Sequence, residues 1–215
     1  MSQPDELTEP HDPAGVAELF GTATPKAVAY AGILATRGVE WGVIGPREVP
    51  RLWDRHLLNC AVVAELVGPE YGTLADVGSG AGLPGVVLAM LLPKVEVTLV
   101  EPLERRARFL TECIAELGLP NAVVLRGRAE DLAGQLAVDV VTARAVAPLD
   151  RLVPLAAGLV RRGGMVLAIK GSGAADELRR AQPALRRLGA RSAEVLTIGQ
   201  GKVNPATTVV RFFAR

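Results

Sequence analysis

From residue 73 onward, short runs that are apolar at nearly every position alternate with stretches whose apolar residues recur at helical spacing. A strand that is apolar on both faces must be covered on both faces, and a parallel sheet flanked by helices does this. The strand runs are 73–78, 96–101, 121–127, 138–144 and 164–170, and the helical segments between them are 83–92, 103–117, 129–136 and 149–161. After a last helix over 174–188 the rhythm changes: strands 191–198 and 207–214 are joined by a link too short for a crossover helix. Those two strands are therefore expected as antiparallel neighbours. The reading is α/β: a seven-stranded doubly wound sheet with one reversed strand and a C-terminal antiparallel β-hairpin.

Residues 1–72 follow no such rhythm. The first 20 residues hold five acids, no Lys or Arg and three prolines, so the first dozen are expected to form a mobile tail. Residues 24–39 and 50–67 are read as two amphipathic helices, with Pro50 at a helix start where its missing N–H costs nothing. This region is expected to be a helical N-terminal cap on a sheet domain of residues 73–215, not a separate unit.

Composition bounds the function. Hydrophobic residues make up 49% of the chain but aromatics only 4%, so a sizeable core must rest on Ala, Val and Leu. No basic stretch followed by an apolar run marks a secretion signal, and the longest apolar run is far short of a membrane span. Two cysteines, Cys60 and Cys113, in apolar stretches suggest a reducing compartment, so a soluble cytoplasmic protein is expected. Charge is unevenly spread: residues 144–215 hold 13 basic and 4 acidic side chains, against 11 and 19 in residues 1–143. Twenty of the 24 basic residues are arginine, whose planar fork suits phosphates and guanine edges. The basic C-terminal third reads either as a nucleic-acid footprint or as a solvated face.

The segment Asp76-Val-Gly-Ser-Gly-Ala-Gly-Leu-Pro-Gly85 follows the first strand and opens the first helix. Gly78, Gly80 and Gly82 allow a tight turn and close approach of a ligand to the backbone. Leu83 and Pro84 are read as the helix start, whose free N–H groups favour a negatively charged ligand group. A dinucleotide fingerprint needs glycine three residues after Gly80, where Leu83 stands. Glu101, at the end of the second strand, suits both hydroxyls of a ribose, or alternatively supports the following helix. A nicotinamide cofactor would also place an acid there. The missing third glycine and the final hairpin weigh against it.

The acidic glycine loop, the terminal Glu101 and the seven-strand ending resemble class I S-adenosylmethionine-dependent methyltransferases, a Rossmann-like fold. More closely, the loop together with Val100-Glu-Pro-Leu-Glu-Arg-Arg-Ala-Arg-Phe-Leu110 and Ala143-Arg-Ala-Val-Ala-Pro-Leu149 resembles the ribosomal RNA small-subunit methyltransferase G (GidB) family. Arg55-His56-Leu-Leu-Asn59 and Ile169-Lys170-Gly171 add to the likeness, which runs in order over residues 24–215. Asn59-Cys60 departs from it, the commoner pattern being Asp-Ser.

The resemblance implies S-adenosylmethionine as cofactor and methyl transfer to N7 of a guanine in the decoding-region loop of 16S rRNA. The substrate would be the small ribosomal subunit or an assembly intermediate, and the enzyme a monomer that engages no membrane. By position it assigns Gly78 and Leu83 to the cofactor's amino-acid end and the start of the adenosine pocket. Ala129 and Glu130 would meet adenine, and Arg144 would reach cofactor or target. Asp76, Gly80, Gly82 and Glu101 complete the expected cofactor site. Arg144 and Lys170 are the candidates nearest the reaction, and His56, Arg126, Arg128 and Lys170 the RNA-binding candidates. Two histidines, His11 and His56, and two distant cysteines leave no metal site expected. The alternatives are a small-molecule methyltransferase, a nicotinamide-dependent reductase and a noncatalytic RNA-binding module.

Overall fold

The computed structural model describes residues 13–215. The expected mobile tail, and His11 within it, lie outside the described residues. Among the described residues, three α-helices precede the sheet: α1 (Pro13–Phe20), α2 (Thr24–Ile33) and α3 (Leu58–Ala61). α2 runs on into a π turn at Leu34–Gly38, and α3 sits between 3₁₀ and π turns, so residues 46–66 form one irregular helical run. Pro50 lies inside its first 3₁₀ turn, not at its start.

The sheet contains β1 (Thr73–Val77), β2 (Glu96–Glu101), β3 (Ala122–Arg126), β4 (Val138–Arg144), β5 (Val160–Lys170), β6 (Arg191–Ile198) and β7 (Thr207–Phe213). Their order is β3-β2-β1-β4-β5-β7-β6. The first five are parallel, and β7 is antiparallel to both β5 and β6. The hairpin is as expected, but its second strand is inserted inside the sheet and leaves β6 at the edge.

Alternate residues of each strand feed two cores, as the two-residue period of a strand requires. Leu74, Leu99, Val140 and Leu167 point to one side, where they meet α4 (Gly85–Leu91), α5 (Glu104–Glu116) and the N-terminal helices. Ala75, Val100, Val141 and Val166 point to the other, under α6 (Leu149–Ala157) and α7 (Ala174–Arg187). Residues 13–67 therefore share one hydrophobic core with half of the sheet. Polar ties join them to β7 and its hairpin: the Thr207 hydroxyl donates to the Asn59 carbonyl at 3.2 Å, and Lys202 pairs with Glu65 at 2.7 Å.

Three expected boundaries are corrected. Residues 129–136 form consecutive turns and not a helix, interrupted by Gly134 at φ +78, while Leu132 still plugs the sheet. The segment 149–161 leaves the helix at Ala157, because residues 160–163 already belong to β5. The helix after the glycine loop starts at Gly85, beyond a cis Leu83–Pro84 bond.

Candidate functional site

A chain that begins its sheet in the middle and builds outward in both directions leaves a crevice at the carboxyl ends of the two central strands. Here those strands are β1 and β4, paired from Leu74↔Val140 to Val77↔Ala143. The glycine loop leaves β1 at this edge and Arg144 ends β4 beside it.

The loop is braced from within. Gly78 and Ser79 donate backbone N–H groups to the Val100 carbonyl at 2.9 and 3.1 Å. Gly78, Gly80 and Gly82 have φ values of +66, +56 and +93, the left-handed region that glycine enters without strain. Asp76 is buried; its Oδ2 accepts the Gly85 N–H at 3.1 Å and its Oδ1 the Thr142 hydroxyl at 3.1 Å. One of the N–H groups at the helix start, that of Gly85, is thus already taken by Asp76. Burial pushes the Asp76 carboxyl up to about 7, against the pull of its hydrogen bonds.

Glu101 is also buried, with Oε2 accepting the Gly80 N–H at 2.9 Å and Oε1 the Leu103 N–H at 2.9 Å. Each carboxylate oxygen has two lone pairs, so both keep acceptor capacity for ligand hydroxyls. Ala129 and Glu130 follow β3 in the turn region, Ala129 buried and Glu130 exposed. Leu83 lies half-buried in the loop.

Sequence patterning does not single out Tyr30. It is fully buried in α2, and its hydroxyl donates to the Ala81 carbonyl in the middle of the glycine loop. The signal was faint, since Tyr30 is one of two tyrosines and sits among small apolar residues. Burial holds its phenol well above the usual range, so it remains a donor. Tyr30→Phe is expected to cost about 1–2 kcal/mol of stability by stranding that carbonyl. Thermal unfolding with and without S-adenosylmethionine checks this; a wild-type midpoint in both conditions would show that the brace is idle.

On the β4, β5 and β7 side of the crevice lies a cleft of about 1060 Å³. Its walls come from the N-terminal helices (Arg51, Asp54, Arg55, Asn59), the loop after β4 (Arg144 to Pro148) and β7 (Pro205 to Thr208), with Lys170 at its floor. Ala145 stands at φ +56, a costly conformation for a residue with a Cβ, and this turn lays Val146 over Gly78.

The RNA-binding candidates separate into two groups. Lys170 is in the cleft, donating to the Ala147 carbonyl at 2.7 Å and pairing with Glu177 Oε2 at 2.8 Å. That oxygen also accepts the Leu149 N–H at 2.9 Å, so Lys170 and Glu177 together pin the loop after β4. His56 does not itself line the cleft but stands behind Arg144, with both ring nitrogens partnered, by Arg144 and Glu48. Arg126 and Arg128 stand at the end of β3, exposed and paired with Glu104 and Glu130. Three strand positions separate β3 from β4, roughly 14 Å across the sheet. Those two arginines therefore do not line the cleft.

The family model described as GidB, rRNA small subunit methyltransferase G, matches residues 23–204. The chain belongs to this family. Among curated relatives, ribosomal RNA small subunit methyltransferase G of Thermobifida fusca is 55% identical over 206 residues, covering 95% of this chain and 86% of the relative. That of Streptomyces coelicolor is 53% identical over 212 residues, covering 98% and 87%. Among solved structures, a SAM-dependent methyltransferase from Aquifex aeolicus aligns with TM-score 0.57 and 20% identity, covering 80% of this chain and 100% of that one. The antibiotic-resistance methyltransferase Kmr aligns with TM-score 0.53 and 22% identity, covering 73% and 93%. These likenesses show a Rossmann-like α/β fold shared with methyltransferases, in agreement with the strand order. Among the described residues no helix is long and apolar enough to cross a membrane, and no group of three or more His, Cys, Asp or Glu side chains could hold a metal ion.

Proposed function

We propose that this chain transfers the methyl group of S-adenosylmethionine to N7 of a guanine in 16S rRNA, within the small ribosomal subunit or an assembly intermediate. We read it as a cytoplasmic monomer. The observation that carries this reading is the position of Arg144, between a glycine loop built for close ligand approach and a cleft lined by Arg51, Arg55 and Lys170. The names of the relatives, which specify ribosomal RNA of the small subunit, supply the substrate class.

The loop fits the cofactor on its own evidence. A Cβ at Gly80 would meet nothing but the Gly78 carbonyl, at 3.7 Å, so the backbone there is open to a ligand. Gly78, Gly80 and Leu83 would hold the amino-acid end, the free acceptor sites of Glu101 the ribose hydroxyls, and Ala129 and Glu130 the adenine. Asp76 and Gly82 support the loop from behind. Bound there, S-adenosylmethionine supplies an electrophilic methyl group on a positively charged sulfur.

Guanine N7 has an in-plane lone pair and no proton to remove, so the protein needs no general base. Its contribution is alignment of the base with the methyl group and electrostatic positioning. Three of the five donors of Arg144 go to the N-terminal helices, which leaves two for the base or the cofactor at the junction of loop and cleft. Of the three donors of Lys170, two are committed to Ala147 and Glu177, which leaves one for a phosphate or the guanine oxygen. Lys170 thereby shapes the cleft wall as well as its charge.

The test is labelled S-adenosylmethionine, the purified protein, and small subunits or rRNA from cells lacking this gene, followed by nucleoside mass spectrometry. 7-Methylguanosine in the RNA is the expected product. Cofactor binding with no transfer to RNA would overturn the reading in favour of a small-molecule acceptor.

A further inference from the structure

Arg144 is held by the N-terminal helices through three contacts. Its guanidinium donates to Cys60 Sγ at 3.3 Å and to the Arg55 carbonyl at 3.3 Å, and its Nη2 lies 2.5 Å from His56 Nδ1. On the far side of the imidazole, Nε2 lies 2.8 Å from Glu48 Oε2. A guanidinium can only donate and an ionised carboxylate can only accept. One proton arrangement satisfies both ends: a neutral imidazole with hydrogen on Nε2, offering its Nδ1 lone pair to Arg144. We propose that Glu48 and His56 form a positioning relay that aims Arg144 at the junction of glycine loop and cleft, and that the relay holds only while His56 is neutral. This rests on the role given to Arg144 above.

The physical case is a conflict of donors. Protonated His56 would present an N–H to the N–H of Arg144, and two cations would stand in contact in a half-buried site. The charged groups facing His56 are Glu48 and, beyond it, Arg51 from the 3₁₀ turn, Arg144 from β4, and Arg55 from its own turn. Burial lowers the His56 pKa, Arg144 lowers it further, Glu48 opposes both, and Arg55 adds to the lowering. The ring therefore stays neutral at and above neutral pH, and Arg144 is released on the acid side, below the ordinary imidazole range. Cys60 does not compete for the proton, because burial pushes its thiol up. Asp76, pushed up to about 7 behind the loop, is the rival source of an acid limb.

The experiment measures S-adenosylmethionine affinity by calorimetry, and kcat and KM for methyl transfer to unmethylated small subunits, from about pH 5.5 to about pH 8.5. His56→Ala is expected to lower kcat about tenfold or more at alkaline pH, where a merely titrating group would have no effect. His56→Gln, whose amide can accept from Arg144 and donate to Glu48, is expected to recover most of that loss and to lack the acid limb. Glu48→Gln keeps an acceptor oxygen but removes the charge that favours protonation, so the limb should move to lower pH. Wild-type kcat at alkaline pH in His56→Ala, or a wild-type acid limb in both glutamine variants, would overturn the relay and assign the limb to Asp76. Should His56→Ala fold poorly, the two glutamine variants carry the test alone. Arg144→Ala separates the two levels. If it keeps wild-type transfer and cofactor affinity, the role of Arg144 falls and the relay with it. If it is inactive while the glutamine variants keep the wild-type limb, only the relay falls.

Discussion

Arg144→Ala is expected to lower methyl transfer about a hundredfold, the scale of loss when a group that aligns the reacting atoms is removed. The substitution takes away the charge at the β1–β4 crevice and strands the Nδ1 lone pair of half-buried His56. Arg144→Lys is not expected to rescue it. A guanidinium reaches Cys60, the Arg55 carbonyl and His56 as a planar fork, and a single ammonium cannot span the three. Single-turnover transfer to unmethylated small subunits, together with calorimetric titration of S-adenosylmethionine, checks both variants. A loss confined to cofactor affinity would assign Arg144 to the cofactor, and a loss in the transfer step at saturating cofactor would assign it to the base. Wild-type rates in Arg144→Ala would remove it from the site.

The second large effect separates two glycines of one loop. At Gly82, φ +93, a Cβ would meet the Tyr30 hydroxyl at 2.5 Å, Val86 Cγ2 at 2.6 Å and Leu110 Cδ2 at 3.1 Å. All three neighbours are buried and packed, so nothing can move aside cheaply. Gly82→Ala is expected to cost on the order of 3 kcal/mol, from left-handed backbone strain and the lost Tyr30 hydrogen bond. At Gly78, φ +66, a Cβ would meet Val146 Cγ2 at 2.8 Å, but Val146 is 37% exposed and free to rotate into the cleft. Gly78→Ala should therefore cost only about 1 kcal/mol of stability, yet weaken S-adenosylmethionine more than about tenfold by intruding on the ligand face. Thermal unfolding and cofactor titration of the pair give the answer. Equal stabilities in the two variants would show that the loop is not divided into a supporting half and a binding half.

The sheet was legible in the sequence because buried strands leave a local record. Continuous apolar runs such as 165–169, separated by helical spacing, admit little besides a covered parallel sheet, and the short link at 199–206 dictates an antiparallel pair. The glycine loop and Glu101 were legible for a similar reason, since their backbone geometry and position at strand ends follow from residue type and spacing. Where local signals compete, spacing alone does not decide the element. Residues 129–136 carry apolar residues at helical spacing, but Gly134 interrupts the segment, and Ala129, Leu132 and Leu136 reach the core from turns.

Local residue patterns thus sufficed for the class of fold, for the glycine loop and Glu101 at the ends of β1 and β2, and for the family. What each of these residues is bonded to follows from the packed fold and not from its neighbours in the chain. Nothing local links Tyr30 to Ala81, Glu48 and His56 to Arg144, or Lys170 to Glu177 and Ala147, since most of these partners stand tens of residues apart in the chain. The packed fold also bonds Asp76 to Gly85 and Thr142, and divides the arginines between the cleft and the far edge of the sheet. The physical reason is one of range. Strand and turn patterns are written in a few neighbouring residues, whereas a buried polar group takes whichever donor or acceptor the packed fold brings to it.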